Sequence, residues 1–337
     1  MSNKIVELMS IPETQRDLPW LKKSLQSAVE LELSTIPVYL CGLWSIKSDP
    51  SGIVSQLIRT VVWEEMIHMG IACNLFTALG QPPQIVSGYR TEIKYPTVGL
   101  PGGVRPGLTV NLSGLTPAYV QSVFMQIELP ENPLTLAATS YPTIGAFYDA
   151  ISKAFTNLKP TLTTTNQLTT SFDDIHMNLS VISTVDEAVA AINEIKEQGE
   201  GTDTSTEDSP YTADYGNGPE LSHYYKFSEI YYGATLIQED GAWVYKGTPV
   251  PFPEVYPMAP IPQGGYVNPP SAVLAALQSF DGLFYSLLAG LDSAWGDGNN
   301  NGLQDAINVM FLLQPAAQAL FSFTLPDGGV YGPDFVI

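Results

Sequence analysis

Apolar residues recur every three to four positions through most of this chain, the period of a helix buried along one face. Leu25, Val29, Glu32, Ile36, Tyr39 and Leu43 share one such stripe. It predicts a long first helix, capped near Asp17 with Pro19 in its first turn. This helix runs to about Lys47, where Asp49-Pro50-Ser51-Gly52 stops it. Ile58, Val61, Glu65, His68, Ala72 and Leu75 repeat the pattern in a second helix, from about Gly52 to Leu79. Two shorter helices are expected at about Pro117–Glu128 and Thr143–Leu158. Thr184-Val185-Asp186-Glu187 is a capping box that opens another, through about Gln198. Helicity is expected again from Glu220 to about Tyr232, and two apolar helices close the chain at about Ser271–Trp295 and Leu303–Phe323.

The intervals break this period. Residues 81–114 are rich in Pro and Gly and read as an irregular crossover, with short strands at Tyr89–Tyr95 and Thr109–Leu112. An acidic Gly/Ser/Thr-rich loop spans Gly199–Pro219, and 233–269 reads as loop. The expected class is mainly α: a four-helix bundle within about 17–232, Pro/Gly-rich insertions, and a C-terminal helical hairpin at about 271–323. The whole chain, 1–337, reads as one domain.

Two charged positions interrupt the apolar stripes. Glu32 lies within the first and Glu65 and His68 within the second. An ionised carboxylate among apolar side chains is costly unless paired or bound to a cation. Glu65-Met66-Ile67-His68 and Glu220-Leu221-Ser222-His223 share the Glu-x-x-His spacing, which on a helix points both side chains the same way. The chain has three histidines and two of them lie in this motif. A Glu from other helices joined to two such motifs is the ligand set of a dinuclear site in a four-helix bundle. Mixed oxygen and imidazole donors suit Fe, Mn or Zn better than Ca or Mg. Glu200 either caps this site or is a solvated loop acid, and Glu128 ends an apolar helix just before Pro130. His176 has no matching spacing and reads as a surface histidine. Asp297–Asp305 places oxygen side chains at calcium-loop positions, but position 12 is Asn308, so an ordinary interhelical turn is the better reading.

Charge narrows the partners. A net charge of −20 disfavours nucleic acid and anionic membrane surfaces. No run approaches the ~18 uninterrupted apolar residues of a membrane span. Cys41 and Cys73 make no disulfide framework. A reduced, cytoplasmic protein is expected, with a small-molecule substrate and with assembly into a homo-oligomer left open.

The motifs together resemble the ferritin-like iminophenyl-pyruvate dimer synthase family, whose members couple imines in violacein- and rebeccamycin-type pathways. The resemblance rests on Val29-Glu30-Leu31-Glu32-Leu33-Ser34-Thr35-Ile36-Pro37, Trp63-Glu64-Glu65-Met66-Ile67-His68-Met69, Gln198-Gly199-Glu200-Gly201, Ser222-His223-Tyr224-Tyr225-Lys226-Phe227 and Gly332-Pro333-Asp334-Phe335. It implies Glu32, Glu65, His68, Glu220 and His223 as metal ligands, iron as the metal, and oxidoreductase chemistry of secondary metabolism. The family's third bundle helix carries Ile-Gly-Glu-Phe-Tyr where this chain has Ile144-Gly145-Ala146-Phe147-Tyr148. On that reading a carboxylate is missing at Ala146, with Asp149, Glu200 or Glu128 as substitutes, and the site is mononuclear or lopsided. A metal-dependent oxidase or oxygenase, a metal-binding or redox-protective protein, and a scaffold that has lost its chemistry all stay open.

Overall fold

A computed structural model describes residues 3–130, 143–172, 177–200, 210–212, 220–326 and 328–337. Its frame is a pair of long helices, α2 (Leu18–Trp44) and α3 (Ile53–Ala78), which follow a short N-terminal helix α1 (Lys4–Ser10). Asp17 caps α2 by accepting from the Trp20 amide at 2.9 Å, and Pro19 occupies its first turn. Pro37 is accommodated inside the helix. The strand β1 (Ile46–Ser48) links the pair. Leu21, Leu25, Ala28, Ile58, Val61 and Ala72 are buried in the core that runs along both helices.

The crossover differs from its sequence reading. The stretch expected as a strand near Tyr89 is a helix, α4 (Ile85–Glu92). Its first amides, of Ile85 and Val86, donate to the Asp292 carboxylate at 2.6 and 3.0 Å. A cap supplied from far along the chain overrides the local β preference of this segment, and no local pattern reveals such a cap. The expected strand at Thr109 belongs to β3 (Val104–Val110), paired antiparallel with β2 (Thr97–Leu100).

The next helical run is short and broken: α5 (Pro117–Tyr119), a π-helical turn over Val120–Phe124, and α6 (Met125–Ile127). Then come α7 (Ile144–Leu158), the hairpin of β4 (Thr170–Phe172) with β5 (Met177–Leu179), and α8 (Val185–Glu200). The capping box opens α8 as read: the Glu187 amide donates to Thr184 Oγ1 at 3.1 Å, and the Thr184 amide donates back to Glu187 at 3.0 Å.

Helix α9 (His223–Tyr232) begins three residues later than expected. Leu221 is bridged to Tyr211 in extended conformation, and Ser222 is the N-cap. The segment read as loop after it contains a hairpin, β6 (Ala234–Glu239) with β7 (Ala242–Pro249), and the short β8 (Glu254–Val255) paired with β1.

The chain closes with the antiparallel pair α10 (Ser271–Asp297) and α11 (Asn300–Leu320). Gly298 at φ +65° ends α10 and Asn299 caps α11, so the interhelical turn is Gly298-Asn299 and Asn300–Asp305 are already helical. Phe280, Phe284 and Leu288 tie α10 to the bundle core. By length and composition α10 could cross a membrane, with mean hydropathy 1.4 over its most apolar window.

Candidate metal centre

Four elements bring acids and imidazoles to one buried point. Glu32 comes from α2, Glu64, Glu65 and His68 from α3, Glu128 from the residue that ends α6, and His223 from the first position of α9; all are at most 7% exposed. Glu65 Oε1 stands 2.9 Å from His223 Nδ1 and 3.8 Å from His68 Nδ1. Glu32 Oε2 is 3.7 Å from His68 Nδ1, and Glu128 Oε2 is 3.5 Å from His223 Nδ1. Two donors that share one ion at about 2.1 Å each are at most about 4.2 Å apart. All four separations meet that bound. Grouped by imidazole, Glu32 and Glu65 stand beside His68, and Glu65 and Glu128 beside His223, two candidate half-sites that share Glu65.

The surroundings aim these groups. Gln198 Oε1 lies 2.6 Å from His68 Nε2, so the ring carries its proton there and turns a bare Nδ1 inward. His223 Nε2 approaches Glu64 at 3.0 Å, and Lys226 clamps Glu64 with both carboxylate oxygens at 2.7 Å. The two rings lie 5.5 Å apart and near parallel. Thr35 Oγ1 lies 2.6 Å from Glu65 Oε2 and 2.8 Å from the Glu32 carbonyl oxygen, its single proton shared between the two acceptors. Tyr148 donates to Glu32 and Tyr39 to Glu128.

Electrostatics make the cluster unstable as a bare set of charges. Burial and the neighbouring Glu128 and Glu32 push the Glu65 carboxyl up to about 7. Burial also works against Glu64, but Lys226 and His223 outweigh it and hold that carboxyl down at about 2. Burial would lower His223, yet Glu128, Glu64 and Glu65 carry it well above the usual imidazole range. Although carboxylates stand so close, neither His223 nitrogen has an aligned hydrogen-bond partner among the described residues. Orphaned buried nitrogens beside off-line carboxylates are what an imidazole awaiting a cation looks like. Glu65, His68 and His223 offer ligand atoms within 4.8 Å of one another. The residues present fit a metal.

Of the residues singled out from sequence, Glu32, Glu65, His68 and His223 are brought together, while Glu220 is not. It precedes α9, its side chain is 40% exposed, and it lies 3.4 Å from Lys226. Glu200 ends α8 with a side chain outside the described residues, as is His176. Ala146 stands two positions from Tyr148, which puts it on nearly the opposite side of α7 from the cluster. The vacant carboxylate position therefore leaves no gap, and Glu128 supplies the third acid. Asp149 instead pairs with Lys196 at 3.1 Å.

A ferritin-like family model matches residues 25–232, which span every element that contributes to the cluster. The chain belongs to the ferritin-like family. A crystal structure of a ferritin-like protein from Caulobacter vibrioides superposes with TM-score 0.63 at 23% identity, covering 91% of this chain and 96% of that one. No curated protein matches the chain. In this ferritin-like chain the buried Glu/His cluster is the feature that could hold a metal.

Proposed function

We propose that the protein is a non-haem metal-dependent oxidase or oxygenase-like enzyme that holds two ions, iron by preference, and acts on a small, amino-acid-derived metabolite. The observation that carries this reading is the pair of half-sites joined at Glu65. Glu32 and His68 would hold one ion, Glu128 and His223 the other, and Glu65 would span both. Three carboxylates neutralise much of the charge of two divalent ions, and the Glu64–Lys226 pair is already neutral. Bound iron would supply redox chemistry toward oxygen.

The chain's own groups serve that chemistry in distinct ways. Gln198 fixes the tautomer of His68, which sets which nitrogen faces a metal, and Glu64 stands 3.0 Å from His223 Nε2 on the side away from Glu65. Tyr148 and Tyr39 hold a carboxylate each through a phenol proton and can return or accept a proton at Glu32 and Glu128. Tyr39, Phe124 and Phe227 pack edge-on or tilted, with ring centroids 4.8–5.0 Å apart, beside the cluster and exclude water from it. The amino-acid-derived substrate class rests on the likeness of the motifs to the dimer synthase family.

Anaerobic loading with Fe(II), followed by oxygen exposure, tests the reading. Retention of close to two irons per chain and oxygen consumption in proportion to them are expected. Failure to retain iron through gel filtration would sink it. A redox-protective or storage role uses the same residues and is distinguished by iron uptake well beyond two ions per chain.

A further inference from the structure

Between the α2–α3 pair and the α10–α11 hairpin lies a cavity of about 580 Å³ that shares no lining residue with the metal cluster. Leu33 and Ile36 of α2 and Met66 and Gly70 of α3 form one wall, Leu287 and Ile307 of the α10–α11 hairpin the other. Helices packed directly against each other leave no void of this size. The volume falls within the roughly 300–1,000 Å³ of small-molecule sites. It opens beside Phe311 of α11, which is 64% exposed.

The lining decides the chemistry of an occupant. Among the described residues it is lined by no charged side chain, and Thr170 carries their one hydroxyl. The indole N–H of Trp295 is already given to Asn74 at 3.0 Å. A sugar, nucleotide or free amino acid would strand its polar groups there, at a cost no lining atom offsets. An apolar chain fits, with its polar head outside.

One cation stands where such a head would lie. Trp63 is the first lining residue of α3, and Arg59, one turn earlier, lays its guanidinium over the Trp63 ring at 5.9 Å. Among the described residues no carboxylate is ion-paired with Arg59, although the chain has 34 acidic residues to 14 basic ones. An unpaired guanidinium at the end of an apolar cavity, in so acidic a protein, is complementary to a carboxylate head.

We propose that this cavity is a binding site for a single-chain anionic amphiphile of the fatty-acid type, its chain between the α2–α3 and α10–α11 pairs and its carboxylate at Arg59. The site is independent of the metal reading, since neither shares residues with the other.

Titration of the whole protein with the fluorescent fatty acid cis-parinaric acid, with palmitate and hexadecanol as competitors, tests it. Saturable binding near one per chain is expected. Leu287→Trp, which fills the cavity, should weaken binding at least tenfold while far-UV dichroism stays unchanged. Arg59→Gln should weaken palmitate several-fold and leave hexadecanol unaffected. A diazirine-bearing fatty acid, photolysed on the unaltered protein, should label peptides of α3, α10 or α11. Non-saturable binding, label elsewhere, or an unchanged affinity in Leu287→Trp would overturn the site. Equal responses of palmitate and hexadecanol to Arg59→Gln would overturn the anionic head.

Discussion

Glu65 Oε1 lies 2.9 Å from Nδ1 of His223, and that approach joins α3 to the first residue of α9. Because Glu65 also reaches toward His68, its loss should affect both half-sites, whereas loss of an outer ligand should affect one. Metal analysis by mass spectrometry on iron-loaded variants checks this. Glu65→Ala should retain almost no iron, while Glu32→Ala and Glu128→Ala each fall from about two ions to about one. Glu220→Ala should keep the full complement, since Glu220 leans on Lys226 outside the cluster. Full iron retention in Glu65→Ala would contradict the shared half-site.

These outcomes bear on what the sequence could disclose. Glu65-Met66-Ile67-His68 was legible because α3 continues unbroken through it, so its spacing converts directly into a common face. The same spacing misleads at Glu220-Leu221-Ser222-His223, where Leu221 is extended and the helix starts only at His223. A three-residue spacing has no fixed direction outside a helix. Glu32 announced itself by standing in an apolar stripe. Glu128 ends a helix broken by a π-turn, and nothing local says that its carboxylate meets His223 rather than solvent. Lys226, three residues past His223, and Thr35 and Tyr39, on the Glu32 face of α2, carried a readable helical spacing; Gln198 did not. The long helices were plain from period alone, while α4 was hidden because its cap, Asp292, comes from α10.

Gln198 sets the tautomer of His68, so its removal should weaken one ion without removing it. Gln198→Leu is expected to lower metal affinity 10- to 100-fold, the usual penalty for losing the partner behind a ligating imidazole. Competition with a chromophoric chelator would measure this. Two classes of ion are expected in the variant, one weakened and one near normal; equal affinity to the parent for both would show that Gln198 does not position the ring.

The Glu64–Lys226 pair is buried on both sides, with side chains 6% exposed. Removing one partner of such a pair leaves the other charge without compensation, at about 3–5 kcal/mol. Lys226→Met should therefore lower the chemical-denaturation midpoint sharply. The double variant Lys226→Met with Glu64→Leu should recover much of the loss, because no stranded charge remains. Urea unfolding of the metal-free proteins separates this from any change in metal binding. A double variant no more stable than Lys226→Met would mean that packing, not charge, dominates here.

Asp281 of α10 and Asp334 near the C-terminus have facing carboxylates, and each leaves one oxygen with no donor among the described residues. A proton shared between them satisfies both. Burial, then the Asp334 charge, pushes the Asp281 carboxyl from 3.8 up to about 8, and burial also raises Asp334. The folded pair thus binds more protons than the unfolded chain throughout the interval between those values. Stability falls with rising pH wherever the native state holds the extra protons. The contribution of this pair is therefore complete below about pH 4 and is lost as pH climbs through about 8. Asp281→Asn replaces the proton with a permanent amide donor. Its thermal midpoint should gain on the parent as pH rises from about 4 to about 8, and the two should converge toward pH 4. Parallel midpoint curves across that range would show that the two carboxylates titrate independently and share no proton.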